Sequence, residues 1–187
     1  MSLYLESITE ILSRIDREDS AALAAASDAV SDVICGDGLV YVFGCGHSHL
    51  VALDTFYRAG GLACVSALLD EDLMLHDGAA KADKVKTVAI SSSAYKPHGG
   101  VLLDEADIGI DSKVAYGDAV IPVGDAAMGG MSTFAGLFIL NSILIEGAKK
   151  ALARGVTPPI YRSGNVEGGT AQNALLEAKY FNRIKRL

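Results

Sequence analysis

Gly38-Leu39-Val40-Tyr41-Val42-Phe43-Gly44-Cys45-Gly46-His47-Ser48-His49 is the stretch that decides the fold. An apolar run breaks at glycines and a helical run to Ala59 follows at once. That pattern predicts a buried parallel strand feeding a helix N-terminus through a tight loop. Such a loop offers free backbone N–H groups and the positive end of a helix dipole, a natural seat for a phosphate. Gly44 and Gly46 let the backbone approach a ligand closely. Ser48 is a candidate N-cap whose hydroxyl can serve the helix or a ligand. His47 and His49 flank it. An ordinary strand-to-helix turn with no ligand is the alternative.

The loop is not a dinucleotide fingerprint. Position 49, where a third glycine belongs, is His, and the next apolar run, Leu62-Ala63-Cys64-Val65, ends at Ser66 instead of an acid. No Gly-Lys-Ser/Thr occurs, so a Walker loop is absent. Gly44-Cys45-Gly46-His47-Ser48 is not a nucleophile elbow either.

The chain has 187 residues, half of them apolar, enough for one compact domain with a real core. A net charge of −7 and no basic stripe argue against nucleic acid as the main partner. Cys35, Cys45 and Cys64 form no Cys-x-x-Cys motif and read as reduced thiols of a cytoplasmic protein. The N-terminus lacks the basic-then-apolar pattern of a signal peptide. The longest apolar run, 134–145, contains Gly136, Asn141 and Ser142, so no membrane association is expected.

Working outward, Tyr4, Ile8, Ile11, Leu12 and Ile15 make a helical stripe. It packs on a neighbouring subunit or on the chain's own sheet. A second helix follows Asp19-Ser20 and stops at Gly36 and Gly38. After the loop, the predicted helix puts Leu50, Leu53, Phe56 and Tyr57 inward and ends at Gly60-Gly61. Strands are expected at 62–65, 85–90 and 106–110, with an edge piece at 119–123 that contains Pro122. Ser91-Ser92-Ser93 stands at the carboxyl edge of a strand, where open α/β sheets bind ligands. A long buried helix runs from Ser132, with Ser132 or Thr133 as N-cap, to Arg154. A glycine-rich turn, 163–169, and a short helix with a solvated basic face close the chain. No repeat or linker appears, so one domain, 1–187, is expected, with helices in 1–35 and an α/β core in 38–187.

Three blocks resemble the sugar isomerase (SIS) domain family, most of all a bacterial branch of phosphoheptose-isomerase-like proteins. They are the stretch from Tyr41 through Leu62, then Leu73-Met74-Leu75-His76-Asp77-Gly78-Ala79, and finally Met131–Phe134 through Asn141 with Tyr161-Arg162-Ser163-Gly164-Asn165-Val166-Glu167-Gly168-Gly169. The resemblance implies a three-layer α/β/α sandwich, flavodoxin-like, with a five-stranded parallel sheet. It implies a phosphorylated sugar as ligand, no cofactor, and a homodimer or larger homo-oligomer. It also implies phosphate binding by hydroxyls and loop N–H groups, matched here by Ser48, Ser91, Ser92, Ser93, Ser132 and Thr133. These groups and the Gly44–His49 loop are expected to converge at the carboxyl edge of the sheet.

Aldose–ketose isomerisation needs a base that moves a proton between adjacent carbons. Asp54 and Asp77 resemble the positions of glutamates in N-acetylmuramic acid 6-phosphate etherases, one methylene shorter. Glu167 and His47 are further candidates, His47 for ring opening. An isomerase is the leading reading; a lyase or etherase on an amino-sugar phosphate and a non-catalytic phosphosugar sensor remain. His47, His49, His76 and Asp77 lack structural-zinc spacing, so no metal is expected.

The resemblance also implies a second ligand loop, with a strand and helix, between Ala80 and Val85, where only Lys81-Ala82-Asp83-Lys84 stands. A second shortening lies near 95–98. Either these units are lost or the sequence omits them. Omission is favoured, because a sheet without an internal unit would leave neighbouring strands unpaired.

Overall fold

The computed structural model describes residues 2–68 and 85–184. Residues 2–26 and 85–143 form one compact unit, and residues 27–68 and 144–184 a second.

The first unit opens with α1 (Leu3–Glu18), capped by the Ser2 hydroxyl, which accepts the Leu5 N–H. The stripe read from the sequence is its inner face: Ile11 is buried and Ile15 has no exposed surface. Tyr4 donates to the Gly130 carbonyl at 3.0 Å and meets Phe134 edge-on. The stripe therefore covers its own chain. The start of α2 (Ser20–Cys35) also belongs here.

Strand β3 (Val88–Ser91) pairs in parallel with β4 (Ile108–Asp111). The short α4 (Leu102–Glu105) lies between them in sequence. Strands β5 (Ala119–Val123) and β6 (Ala126–Gly130) form an antiparallel hairpin turned at Gly124, whose φ is +58°. Pro122 is tolerated because each strand of a hairpin has an open edge. Helix α5 (Ser132–Ala153) starts in this unit.

The second unit carries β1 (Val40–Val42), parallel to β2 (Val65–Ala67), with α3 (His49–Thr55) in the crossover. Helix α2 stops as its glycines dictate: the N–H groups of Gly36 and Gly38 return to the carbonyls of Asp32 and Val33. The C-terminal halves of α2 and α5 pack closely, tied by Lys150–Asp28 and Arg154–Asp32, both at 2.6 Å. Helix α6 (Gly169–Tyr180) ends beside Asp37. Its basic residues are not simply solvated, because Lys179 (2.6 Å) and Arg183 (3.2 Å) both pair with the Asp37 carboxylate. The Lys179 hydrogen bond first, against weak desolvation, holds the Asp37 carboxyl below its usual range.

Several expectations are corrected. Helix α3 ends at Thr55, and Tyr57 adopts a left-handed backbone with φ +47°, which no helix continues through. Its buried face is Val51, Ala52 and Thr55; Leu50 and Leu53 are 50% and 42% exposed. The missing turn rotates the inward face. Strand β2 begins at Val65, because residues 62–63 pair with 159–160 instead. Residues 85–87 precede β3 without joining it. Among the described residues the parallel strands form two separate pairs, where a single five-stranded sheet was expected. No helix among them is long and apolar enough to cross a membrane.

Candidate functional site

The Gly44–His49 loop sits at the carboxyl end of β1. Gly44 is buried, and a Cβ there would lie 2.2 Å from the Ser48 carbonyl oxygen and 2.9 Å from the His49 nitrogen. Only glycine lets the chain double back so tightly. Gly46 has φ +55° and opens a 3-10 turn, Gly46–Ser48, which the Ser48 N–H closes onto the Cys45 carbonyl. That turn runs straight into α3, so the first N–H groups of the turn have no intrahelical acceptors. Gly46, His47 and Ser48 are exposed and His49 is half-buried. Ser48 does not cap α3: its backbone is already helical and its hydroxyl makes no cap hydrogen bond.

The family model for "SIS domain" matches residues 3–98, 96 of the 187 residues, and takes in this loop. A "UPF0309 protein" of Caldanaerobacter subterraneus is 31% identical over 245 residues, covering all of both chains. One of Listeria monocytogenes serotype 4b is 32% identical over 239 residues, 98% of this chain and 97% of its own. One of Streptomyces griseus is 31% identical over 238 residues, 97% and 95% respectively.

The chain belongs to the SIS-domain family, among the UPF0309 proteins.

A SIS domain implies phosphosugar binding; the UPF0309 names carry no activity. The alignment with the Caldanaerobacter protein spans 245 positions against the 187 residues here, a difference of 58. This sequence therefore has no residue opposite at least 58 aligned positions of that relative, in keeping with a shortening. Ala80 to Lys84, where it was placed, lies outside the described residues. So do His76 and the candidate base Asp77.

In the same unit as the loop, Asp54 lies on α3, where the Arg58 guanidinium pairs with its carboxylate. Glu167 is exposed in the turn before α6. The structure thus puts Asp54 and His47 on one short segment and leaves Glu167 on another.

The serines of the other unit are placed as follows. Ser91 is the last residue of β3 and is half-buried. Ser92 is buried: its hydroxyl donates to the Val114 carbonyl and accepts the Ala94 N–H, capping the 3-10 segment Ser93–His98. The Ser93 N–H donates to Asp111 Oδ1 at 3.1 Å. Ser132 opens α5 and its hydroxyl donates to Asp118 Oδ2 at 2.8 Å. Thr133 follows, half-buried. Of these groups, Ser92, Ser93 and Ser132 have hydroxyls already engaged by the chain, that of Ser93 by the Asp111 carboxylate.

Two acids escaped the sequence reading. Asp118 takes the N–H groups of Met131 and Ser132, each at 2.8 Å, and so caps α5 from thirteen residues away. No local pattern announces a cap at that distance. Asp111 ends β4, accepts the N–H groups of Ser93 and Lys113, and faces Lys113 Nζ at 3.3 Å. Lys113 also lies 2.6 Å from Asp19 Oδ2, an ion pair whose angle falls outside hydrogen-bond geometry. An acid at the carboxyl end of Ile108-Gly109-Ile110 was legible once the strand was extended by one residue.

Proposed function

We propose that this SIS protein binds a phosphorylated sugar at the Gly44–His49 loop and interconverts its aldose and ketose forms. The observation that carries the reading is the loop itself. Gly44 is forced tight against Ser48, the turn opens toward solvent, and the Ser48 hydroxyl is spared from capping. Backbone N–H groups of Gly46 and His47 and the hydroxyl can then replace the hydration of a phosphate dianion. His49 lines the same turn. Ser91 and Thr133 form a second candidate set for phosphate oxygens, with Ser92, Ser93 and Ser132 holding the backbone and acids beside them.

In the isomerisation a base removes the C2 proton of the open-chain aldose, and the enediol takes a proton at C1 to give the ketose. His47 is the group on the loop suited to open the ring. Asp77 is the leading base; Glu167 is free for the role. Asp54 is less available, because Arg58 already neutralises it. No cofactor enters this chemistry. The protein acts in the cytoplasm as a single SIS domain of three layers. A homodimer or larger homo-oligomer completes the assembly.

Calorimetry and proton-exchange NMR with hexose, heptose and N-acetylhexosamine phosphates test this. Wild type is expected to bind at least one and turn it over. Asp77→Asn is expected to bind but not turn over. Absence of binding to every phosphosugar overturns the reading. Light scattering that returns a monomer at micromolar concentration overturns the dimer.

A further inference from the structure

Two sequence blocks that the loop does not use meet elsewhere in the second unit. Tyr57 and Arg58, after α3, face Tyr161 and Arg162, more than a hundred residues later, across a cleft of about 190 Å³. Asn173 and Glu177 of α6 close it.

The walls are fixed by backbone. The Gly60 N–H donates to the Tyr161 carbonyl at 2.8 Å, and the Tyr161 N–H returns to the Gly61 carbonyl at 2.9 Å. The Tyr57 ring stands edge-on to the Tyr161 ring, centroids 5.4 Å apart. The Tyr57 hydroxyl donates to Glu177 Oε1 at 2.8 Å. Tyr57 holds φ +47°, a conformation that is costly for a non-glycine residue and gathers at binding sites.

Arg162 is the telling residue. Its N–H donates to Asn173 Oδ1 at 2.9 Å, and Asn173 Nδ2 donates to its carbonyl at 2.8 Å. The side chain thus springs from a clamped backbone. Arg14, Arg17, Arg58, Arg154 and Arg183 all pair with carboxylates. Arg162 forms no ion pair among the described residues. A guanidinium fixed at its root, unmatched, at the rim of a cleft is built for an oxyanion.

We propose that this cleft is a second binding site, for a small hydroxylated oxyanion of sugar size. Arg162 takes the anion, Glu177 Oε2 accepts a ligand hydroxyl, and the Tyr57 and Tyr161 rings face its carbon skeleton. The cleft is smaller than the roughly 300–1,000 Å³ of pockets for larger ligands, so one ring at most fits. The site is separate from the loop: α3, seven residues long, holds the two about 10 Å apart. The inference does not rest on the phosphosugar reading of the loop.

The test is calorimetry on the full chain with a hexuronic acid, a hexose 6-phosphate, the neutral hexose and inorganic phosphate. Either charged sugar is expected to bind, and the tighter of the two identifies the anion as carboxylate or phosphate. The neutral hexose and inorganic phosphate are each expected to bind about tenfold more weakly, since each satisfies only one side. Arg162→Gln and Glu177→Gln should each weaken the charged sugar about tenfold. Arg162→Gln should keep the wild-type melting temperature, because the side chain holds nothing in the free protein. The proposal is overturned if neither charged sugar binds saturably, or if Arg162→Gln binds as wild type does.

Discussion

Gly147 of α5 lies against Val30 of α2 so closely that a Cβ at 147 would sit 2.5 Å from Val30 Cγ1 and 2.6 Å from Val30 Cβ. The Ser27 carbonyl oxygen would be 3.0 Å away. A β-branched side chain within a helix has one preferred rotamer, so Val30 cannot swing clear. The ion pairs Lys150–Asp28 and Arg154–Asp32 then close on the same helix contact.

Gly147→Ala should therefore destabilise the protein, although alanine favours a helix by up to about 1 kcal/mol over glycine. Overpacking costs about 1–3 kcal/mol and wins. Urea unfolding should show a lower midpoint. A midpoint raised by Gly147→Ala would refute the close contact.

Asp118 predicts a second effect. Its carboxylate takes two N–H groups and the Ser132 hydroxyl at the start of α5. Asp118→Ala removes all three bonds, for a loss of about 1–2 kcal/mol. The left-handed backbone at 118, φ +65°, adds strain for alanine that asparagine tolerates better. Asp118→Asn should thus lose less. Thermal melts of the two variants check the order, and equal melting temperatures would contradict it.

Helices α1, α2 and α5 were largely legible in the sequence, but the N-caps were not: Ser48 does not cap α3, and Asp118 caps α5. Periodicity marks α1, and Gly36 and Gly38 stop α2. The tight Gly44–His49 turn is also legible, because Gly44 and Gly46 mark a turn that other residues cannot make. What sequence could not show is long-range pairing. Residues 62–63 answer to 159–160, and that draws the chain out of the expected strand. Tyr57 takes a left-handed backbone that its residue type disfavours, so α3 stops a turn early. Asp118 and Arg162 carry no local signal at all, since their roles depend on partners eleven or more residues away.

Asp111 gives a pH prediction. Burial alone would raise its pKa, but the Ser93 side-chain hydrogen bond, the N–H groups of Lys113 and Ser93, and the Lys113 charge outweigh burial and hold it below the usual value of 3.8. A depressed carboxyl stabilises the fold above its unfolded pKa and loses that contribution as pH falls through the folded value. Asp111→Asn should therefore be less stable than wild type near neutrality. The gap should narrow as pH falls from neutrality through the usual carboxyl value of 3.8 and below it in denaturant titrations. Asp19 and Glu18, which also face Lys113, remain in both proteins. A gap constant across that range would show that the Asp111 charge contributes nothing.

The loop variants separate geometry from hydrogen bonding. Ser48→Ala removes one hydroxyl from a site meant for a charged phosphate, worth about 1.5–3 kcal/mol, or roughly a ten- to hundredfold weaker phosphosugar affinity. It should leave stability unchanged, since that hydroxyl caps nothing. Gly44→Ala acts differently. Its Cβ would meet backbone atoms of Ser48 and His49, which cannot rotate away, so the whole turn must open. Binding should fall further than in Ser48→Ala, with a drop in melting temperature. Gly46→Ala has open space around the new Cβ and only the cost of φ +55°, about 1–2 kcal/mol, so it should lose stability but keep more affinity than Gly44→Ala. Calorimetry and melts on the three variants check this order. Gly44→Ala that binds the sugar phosphate as tightly as wild type would mean that the turn does not hold the ligand.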